Sequence, residues 1–247
     1  MLPRRSAPGR RRYHLDDQYS GSVICLPPCA SGLRPDLGVV GDESLRLVQT
    51  TSSQTSLGIN RMKTVDIAIV GGGMVGLAIA VGLKDCGLRI ALLEQHEPES
   101  LVPEVALRVS ALNLAATNFL SRLGAWDSLV RRQAYTSMEV WERDGHARLH
   151  FDATSVMQPA LGHIVENRAV VAALWQQLAG SDVLQLCPCS IASFSPSAAG
   201  TLILPEQGEP LLASVLIGAD GAHSRLRQQF NFPLTQWNYA HTALVAT

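Results

Sequence analysis

The sequence predicts an α/β fold built around one parallel strand–helix–strand unit, and three observations predict it. Asp66-Ile67-Ala68-Ile69-Val70 is a short apolar, β-branched run of the kind a fully buried parallel strand needs. It runs directly into Gly71-Gly72-Gly73-Met74-Val75-Gly76, a G-x-G-x-x-G spacing, after which a helical segment extends to about Cys86. A second apolar run, Ile90-Ala91-Leu92-Leu93, then ends at Glu94, eighteen residues beyond the last glycine.

Each part has a mechanical reason. Gly71 permits a tight turn out of the strand, and Gly73 lets the backbone approach a pyrophosphate with no Cβ in the way. Gly76 lets the helix pack close to the strand, with Met74 and Val75 forming the first helical turn between them. A helix N-terminus offers unpaired N–H groups and about half a positive charge to phosphate. Glu94 is placed to accept hydrogen bonds from a ribose diol and would repel a 2′-phosphate, so the nucleotide here is not expected to be NADP. Strand, glycines, helix, second strand and terminal acid occur in order, which predicts a dinucleotide site. A membrane span is the competing reading, because Ile67 to Leu83 carries no charge. That run has seventeen residues with five glycines, short of the roughly 20 needed to cross a bilayer, and is rejected.

The totals fit an α/β protein of one large or two small domains: 247 residues, 47% hydrophobic, 17% charged, net charge -1. Near-neutral charge gives no argument for nucleic acid as a partner. The cysteines are Cys25, Cys29, Cys86, Cys187 and Cys189. An odd count without paired C-x-x-C spacing argues against a disulfide framework and against a metal site, and points to a reducing compartment.

Residues 1–61 differ from the rest, with Arg4, Arg5, Arg10, Arg11 and Arg12 followed by scattered Pro, Gly, Ser and Thr. They read as a largely disordered extension with Met62 as the natural start, or else as an organelle transit peptide, which the acidic Asp16, Asp17, Asp36, Asp42 and Glu43 disfavour. After Glu94 a polar loop leads to Leu107-Arg108-Val109-Ser110-Ala111-Leu112-Asn113, where Ser110 or Asn113 caps a helix that Gly124 stops. Arg108 lies where a cation faces either a cofactor or solvent. Met138–Glu142 and Ala147–Phe151 alternate around Asp144-Gly145 and predict a β-hairpin, with Trp141 and Phe151 on its face. Leu161-Gly162-His163-Ile164-Val165-Glu166-Asn167-Arg168 leads into a helix from about Arg168 to Leu178, with Asn167 as N-cap, and His163 reads as structural. Val183 to Leu186 reads as a strand, and Ile191 to Leu212 as a polar meander. Val215-Leu216-Ile217 then feeds Gly218-Ala219-Asp220-Gly221 and a helix opening with Ser224, Arg225 and Arg227. Asp220 is either a ligand contact at a strand's C-terminal end or part of an ordinary Asp-Gly turn.

Taken together, GGGMVGLAIAVGL with Glu94, LRVSALN and GADGAHSRLR resemble the aromatic-ring flavoprotein monooxygenases of the p-hydroxybenzoate hydroxylase type. LGHIVENR and the closing PLTQWNYAHTALVAT narrow the resemblance to the ubiquinone-biosynthesis hydroxylases, nearest to those acting on 2-polyprenylphenol, and it runs from about Met62 to Thr247. The resemblance implies an FAD-binding Rossmann-like domain over 62–135 and 160–230, interleaved with an incomplete β-sheet substrate domain over 136–159 and 231–247. It implies FAD held by Gly71, Gly73, Met74, Val75 and Gly76 at the pyrophosphate and by Glu94 at the adenosine ribose. Arg108 would lie beside the cofactor, and Arg168 matches a position that is often arginine. Asp220 and Gly221, completed by Arg227, form a second fingerprint associated with FAD and with the nicotinamide donor, NADPH or NADH. The implied reaction is O2-dependent hydroxylation of a polyprenylphenol ring, with no residue here named as catalytic acid or base. Peripheral contact with a membrane face or with other ubiquinone-biosynthesis enzymes is implied too, in the cytoplasm or, with a transit peptide, the mitochondrial matrix. A third, Gly-Asp-rich motif of the relatives is absent, so the chain is expected to be a truncated product. A non-catalytic nucleotide-binding fragment and an NAD-dependent dehydrogenase are the alternative readings.

Overall fold

The computed structural model of the chain describes residues 22–23, 62–102, 104–142 and 145–238. The expectations for residues 1–21, 24–61 and 239–247, and for Asp144 in the hairpin turn, lie outside them.

The strands that position the site come first. Beyond the two-residue β1 (Ser22–Val23), the unit predicted from the glycine motif is β2 (Lys63–Val70), α1 (Met74–Leu83) and β3 (Ile90–Leu93). β2 and β3 pair in parallel from Ile67↔Ile90 to Val70↔Leu93. Two further elements follow, β4 (Val109–Asn113) and α2 (Leu114–Arg122). Asn113 caps α2, its Oδ1 accepting from Ala116 N at 2.9 Å, and Gly124 ends it with φ +75°. Ser110, the alternative cap, lies instead within β4, which local periodicity did not distinguish from the approach to the helix.

β5 (Arg132–Tyr135) and β8 (Gly162–Glu166) join β4 in an antiparallel three-stranded sheet, ordered β4-β8-β5. Between them β6 (Ser137–Trp141) and β7 (Arg148–Asp152) form the predicted hairpin. One expectation for it is corrected: the register pairs Met138 with Phe151 and Trp141 with Arg148. Side chains alternate along a strand, so Trp141 and Phe151 stand on opposite faces. Met138, Val140, Leu149 and Phe151 make one apolar face, while Glu139, Trp141, Arg148 and His150 share the other.

α3 (Asn167–Gln177) follows β8 at once and buries Val170, Ala173 and Leu174. Its N-cap is Glu166, not Asn167, which already has helical backbone. The Asn167 side chain accepts from Ser110 Oγ at 2.6 Å, so a bond across the three-stranded sheet replaces the local cap. β9 (Leu184–Leu186), β10 (Ile191–Ser197), β11 (Gly200–Pro205), β12 (Leu211–Gly218) and the short α4 (Arg225–Gln229) complete the described chain. β12 is longer than the Val215–Ile217 run predicted for it, because Leu211–Ala213 pairs with β11 as well as with β2.

The main sheet is ordered β10-β11-β12-β2-β3-β9. β12, β2, β3 and β9 are parallel, whereas β10, β11 and β12 form an antiparallel meander. β1 lies parallel to β12 at Val215 and Leu216, just past Ala213 where β11 stops pairing. Alternation divides the core between two faces. Ile69, Ile90 and Leu92 pack under α1 and α3 with Leu77, Ala80 and Leu174, all at most 1% exposed. Ala68, Val70, Ala91 and Leu93 face the other way, against Phe194, Ile203, Leu216 and Leu226. A fully buried aliphatic side chain contributes about 1.5–3 kcal/mol, so this two-faced strand pair fixes the position of whatever follows it.

Candidate nucleotide site

The glycine loop leaves β2 at the C-terminal edge of the parallel strands. Val70 stands beside Leu93 of β3 on one side and Gly218 of β12 on the other. Gly71, Glu94 and Ala219 therefore emerge side by side, at the edge where open α/β sheets bind ligands. Ala219 N donates to Val70 O at 2.7 Å and Gly71 N to Leu93 O at 2.8 Å, which fixes the loop to both neighbours.

Three glycines are held to their type by this crowding: a Cβ on Gly72 would lie 2.8 Å from Glu94 Cβ, and Gly71 and Gly76 are tighter still. Gly71 has φ +108°, and a Cβ on it would lie 2.3 Å from Ala219 O. A Cβ on Gly76 would lie 1.9 Å from Gly71 O. Gly73 is different, because nothing comes within 4 Å of where its Cβ would be. It is exposed and is the N-cap of α1, with no side chain capping the helix and no acid in its first turn. The first-turn N–H groups of α1, those of Met74 and Val75 among them, have no intrahelical partner. That cradle fits a phosphate group: backbone donors, helix polarity and a surface free of Cβ atoms coincide.

Glu94 lies beside the loop with its side chain 19% exposed. Its carboxylate accepts from Gly72 N, and from His96 N at 2.9 Å. A carboxylate has more acceptor positions than those two bonds use, so Glu94 retains capacity for a diol.

Across the loop, Asp220 is half-buried and its Oδ2 accepts from Leu226 N at 3.2 Å. Gly221 is exposed, with φ +81° and open space where a Cβ would stand. Ser224 caps α4 through Arg227 N at 3.0 Å, and the Arg227 side chain donates to Ala222 O at 2.5 Å. Arg227 thus braces the turn that carries Asp220 and Gly221.

The remaining candidates sit around the β8–α3 junction. The Arg108 side chain is exposed, and its carbonyl accepts from Asn167 N at 3.1 Å. Arg168, 11% exposed, donates through Nε to Glu166 Oε2 at 3.0 Å and through Nη2 to Glu104 O. Arg131 joins this group, its Nε 2.6 Å from Glu166 Oε1. Burial works against ionisation of Glu166, but the Ala106 N–H and the Arg168 and Arg131 guanidiniums outweigh it and hold the carboxyl below its ordinary range. Neither Glu166 nor Arg131 carried a local signal: their pairing spans 35 residues and depends on β5 lying against β8. Gly72 and Ala219 were likewise unmarked as partners of Glu94 and Gly71. His163 of β8 packs edge-on against Trp126, which lies in the helical turn Trp126–Ser128, with ring centroids 5.0 Å apart.

Among the described residues no group of three or more His, Cys, Asp or Glu side chains is placed to hold a metal ion. No helix among them is long and apolar enough to cross a membrane.

Comparison with known proteins identifies the domain family and the fold. The sequence profile of the FAD binding domain family matches residues 64–244. The 3-demethoxyubiquinol 3-hydroxylase of Escherichia coli is 36% identical over 185 residues, covering 73% of this chain and 47% of that protein. The mitochondrial ubiquinone biosynthesis monooxygenase COQ6 of Danio rerio is 35% identical, covering 73% of this chain and 41% of that protein. The chain therefore spans about half the length of the curated relatives it matches. Among solved structures, PqsL of P. aeruginosa matches with TM-score 0.59 at 21% identity, over 72% of this chain and 48% of that one. The p-nitrophenol 4-monooxygenase PnpA of Pseudomonas putida matches with TM-score 0.56 at 21% identity, over 68% and 44%. These two likenesses establish the shared fold. With the profile covering most of the chain, and with its glycine loop, Glu94 and Asp220 gathered at one sheet edge, this chain belongs to the FAD binding domain family.

Proposed function

We propose that the chain is the nucleotide-binding part of an FAD-dependent hydroxylase that acts on the aromatic ring of a polyprenylphenol in ubiquinone biosynthesis. The observation that carries this reading is the meeting of two motifs distant in sequence, the Gly71–Gly76 loop and the Ala219–Gly221 turn, on adjacent parallel strands. The relatives that are ubiquinone-pathway hydroxylases by name support the pathway and the reaction class.

In this reading Gly71, Gly73, Met74, Val75 and Gly76 cradle the pyrophosphate, and Glu94 binds the adenosine ribose. Arg108 lies beside the cofactor, with Arg168 near it. Asp220 and Gly221, braced by Arg227, contact FAD and the approach of the nicotinamide donor, NADPH or NADH. FAD supplies the redox and O2 chemistry when bound, and the protein binds it, orients it and excludes water. The substrate partners are the polyprenylphenol and O2. A polyprenyl chain partitions into lipid, which supports a peripheral place at a membrane face.

The test is the visible spectrum of the purified 247-residue chain after addition of FAD and desalting. A retained flavin spectrum is the expected result; NADPH or NADH oxidation that depends on a prenylphenol is then assayed to test the hydroxylase reading. A colourless protein would overturn the assignment of the cofactor residues. A second reading is FAD binding without hydroxylation by the 247-residue chain itself. It predicts a retained spectrum and no hydroxylated product.

A further inference from the structure

Glu166 has no part in the reading above, yet it is the one buried charged residue among those described, 3% exposed. A carboxylate is costly to bury unless it is paired and hydrogen-bonded; Oε1 of Glu166 makes no hydrogen bond and is met by the Arg131 Nε ion pair at 2.6 Å. Here Oε2 accepts from Ala106 N at 3.0 Å, Arg131 Nη2 at 3.2 Å and Arg168 Nε at 3.0 Å. The same two guanidiniums reach past the carboxylate to a neighbouring loop. Arg131 Nη2 donates to Val102 O at 3.2 Å and Arg168 Nη2 to Glu104 O. The adjoining residue continues the attachment, with Asn167 N donating to Arg108 O and the Asn167 side chain accepting from Ser110 Oγ.

Val102 and residues 104–108 lie in no regular element, and their large apolar side chains are exposed: Val102, Val105 and Leu107 are 41%, 58% and 57% exposed. Polar bonds centred on Glu166, more than hydrophobic burial, hold this stretch in place. It ends at Arg108, whose backbone is thereby fixed while its side chain stays exposed.

We propose that Glu166 is a positioning residue for Arg108, acting through Arg131 and Arg168 to fix the 104–108 backbone that presents the arginine to the flavin. The inference rests on the placing of Arg108 beside FAD given above. Glu166 touches neither cofactor nor substrate in it.

The test compares the full chain with the Glu166→Gln, Glu166→Asp and Arg108→Ala variants and the double variant Glu166→Gln/Arg108→Ala. FAD affinity is read by flavin fluorescence, and amide hydrogen exchange is followed across 101–109. Glu166→Gln is expected to weaken FAD binding roughly tenfold, by analogy with the low end of what losing an outer-shell partner costs a metal site. Exchange should rise across 101–109 while β2, β3 and β12 keep their protection. Glu166→Asp, which retains the charge, should recover part of both changes. The double variant should bind FAD as Arg108→Ala does, within about twofold, because a group acting through another adds nothing once that other is gone. Losses that multiply in the double variant, or weakened binding with unchanged exchange at 101–109, would overturn the positioning role alone. No FAD binding by the unaltered chain would overturn the cofactor reading and this inference with it. Arg131→Gln leaves Arg168 on Glu166 and carries the same comparisons if Glu166→Gln does not fold.

Discussion

At the residue scale, the glycines of the loop divide into those that folding needs and one, Gly73, whose open surroundings leave it to the proposed cofactor site. Gly71 combines φ +108° with the carbonyl of Ala219 against its missing Cβ. Gly71→Ala should therefore cost about 2–4 kcal/mol of unfolding free energy, combining backbone strain with displacement of the Ala219 backbone. Gly73 has φ -75° and open space around it, so Gly73→Ala should cost about 1 kcal/mol or less in stability. Its effect should fall on FAD, because the new Cβ would occupy the surface offered to the pyrophosphate. Urea unfolding and flavin titration of both variants separate the two roles. Equal stability losses for the pair would mean that the loop is not crowded as described. Most of this was legible in the sequence, since spacing alone marked Gly71, Gly73, Gly76 and Glu94. What spacing left unmarked was the partner of each. Ala219 against Gly71, Gly72 on Glu94, and Arg131 on Glu166 are contacts between segments that only the folded sheets bring together.

At the element scale, the β6–β7 hairpin is amphipathic and pairs only with itself among the described residues. Met138, Val140, Leu149 and Phe151 are 46%, 48%, 59% and 45% exposed on its apolar face. Half-exposed apolar residues on a two-stranded ribbon contribute little to stability and favour association with other chains. Met138→Thr/Phe151→Thr keeps a residue compatible with a strand at one cross-strand pair. It should change unfolding free energy by less than about 1 kcal/mol while lowering the concentration-dependent light scattering of the chain. A large stability loss would mean that the face is packed in solution. The hairpin itself was legible because alternation is a local signal. Its register was not, and placing Trp141 with Phe151 missed by one residue, which is enough to invert a face. β4, β5 and β8 were not read as strands for a related reason. β4 and β8 are short and flow straight into helices, and β8 is sandwiched between the other two, so pairing defines them more than alternation does.

At the scale of the whole molecule, titratable groups on opposite sides of neutrality set the pH range in which the fold is held. Bonds from Arg89 hold Asp66 below its ordinary 3.8, and bonds from Thr154 do the same for Asp152. Glu166 is held below its ordinary 4.5 by its backbone and guanidinium partners in spite of burial. A group whose pKa is lowered by folding contributes stability that is present above the unfolded value and is lost as pH falls through the folded value. Stability should therefore decline on the acid side below about the ordinary carboxylate range. Burial raises Cys187 and Cys189 above 9.0, with Glu94 and Glu97 also acting on Cys187. For these the sign reverses: their contribution is complete below 9.0 and is lost as pH rises through the folded values. The alkaline limb also reaches the nucleotide site. Cys189 N donates to Glu94 O at 2.7 Å, Glu94 N to Leu186 O at 2.9 Å, and Cys187 Sγ to His96 O at 3.3 Å. Ionising these thiols would loosen the strand end that holds Glu94, so FAD retention should fall together with stability as pH climbs above 9.0. Denaturation midpoints and flavin retention across the pH range check this, with Cys187→Ala/Cys189→Ala as the comparison. The double variant should keep the acid decline and lose most of the alkaline one. An unchanged alkaline decline would assign that loss to other groups and detach the two thiols from Glu94.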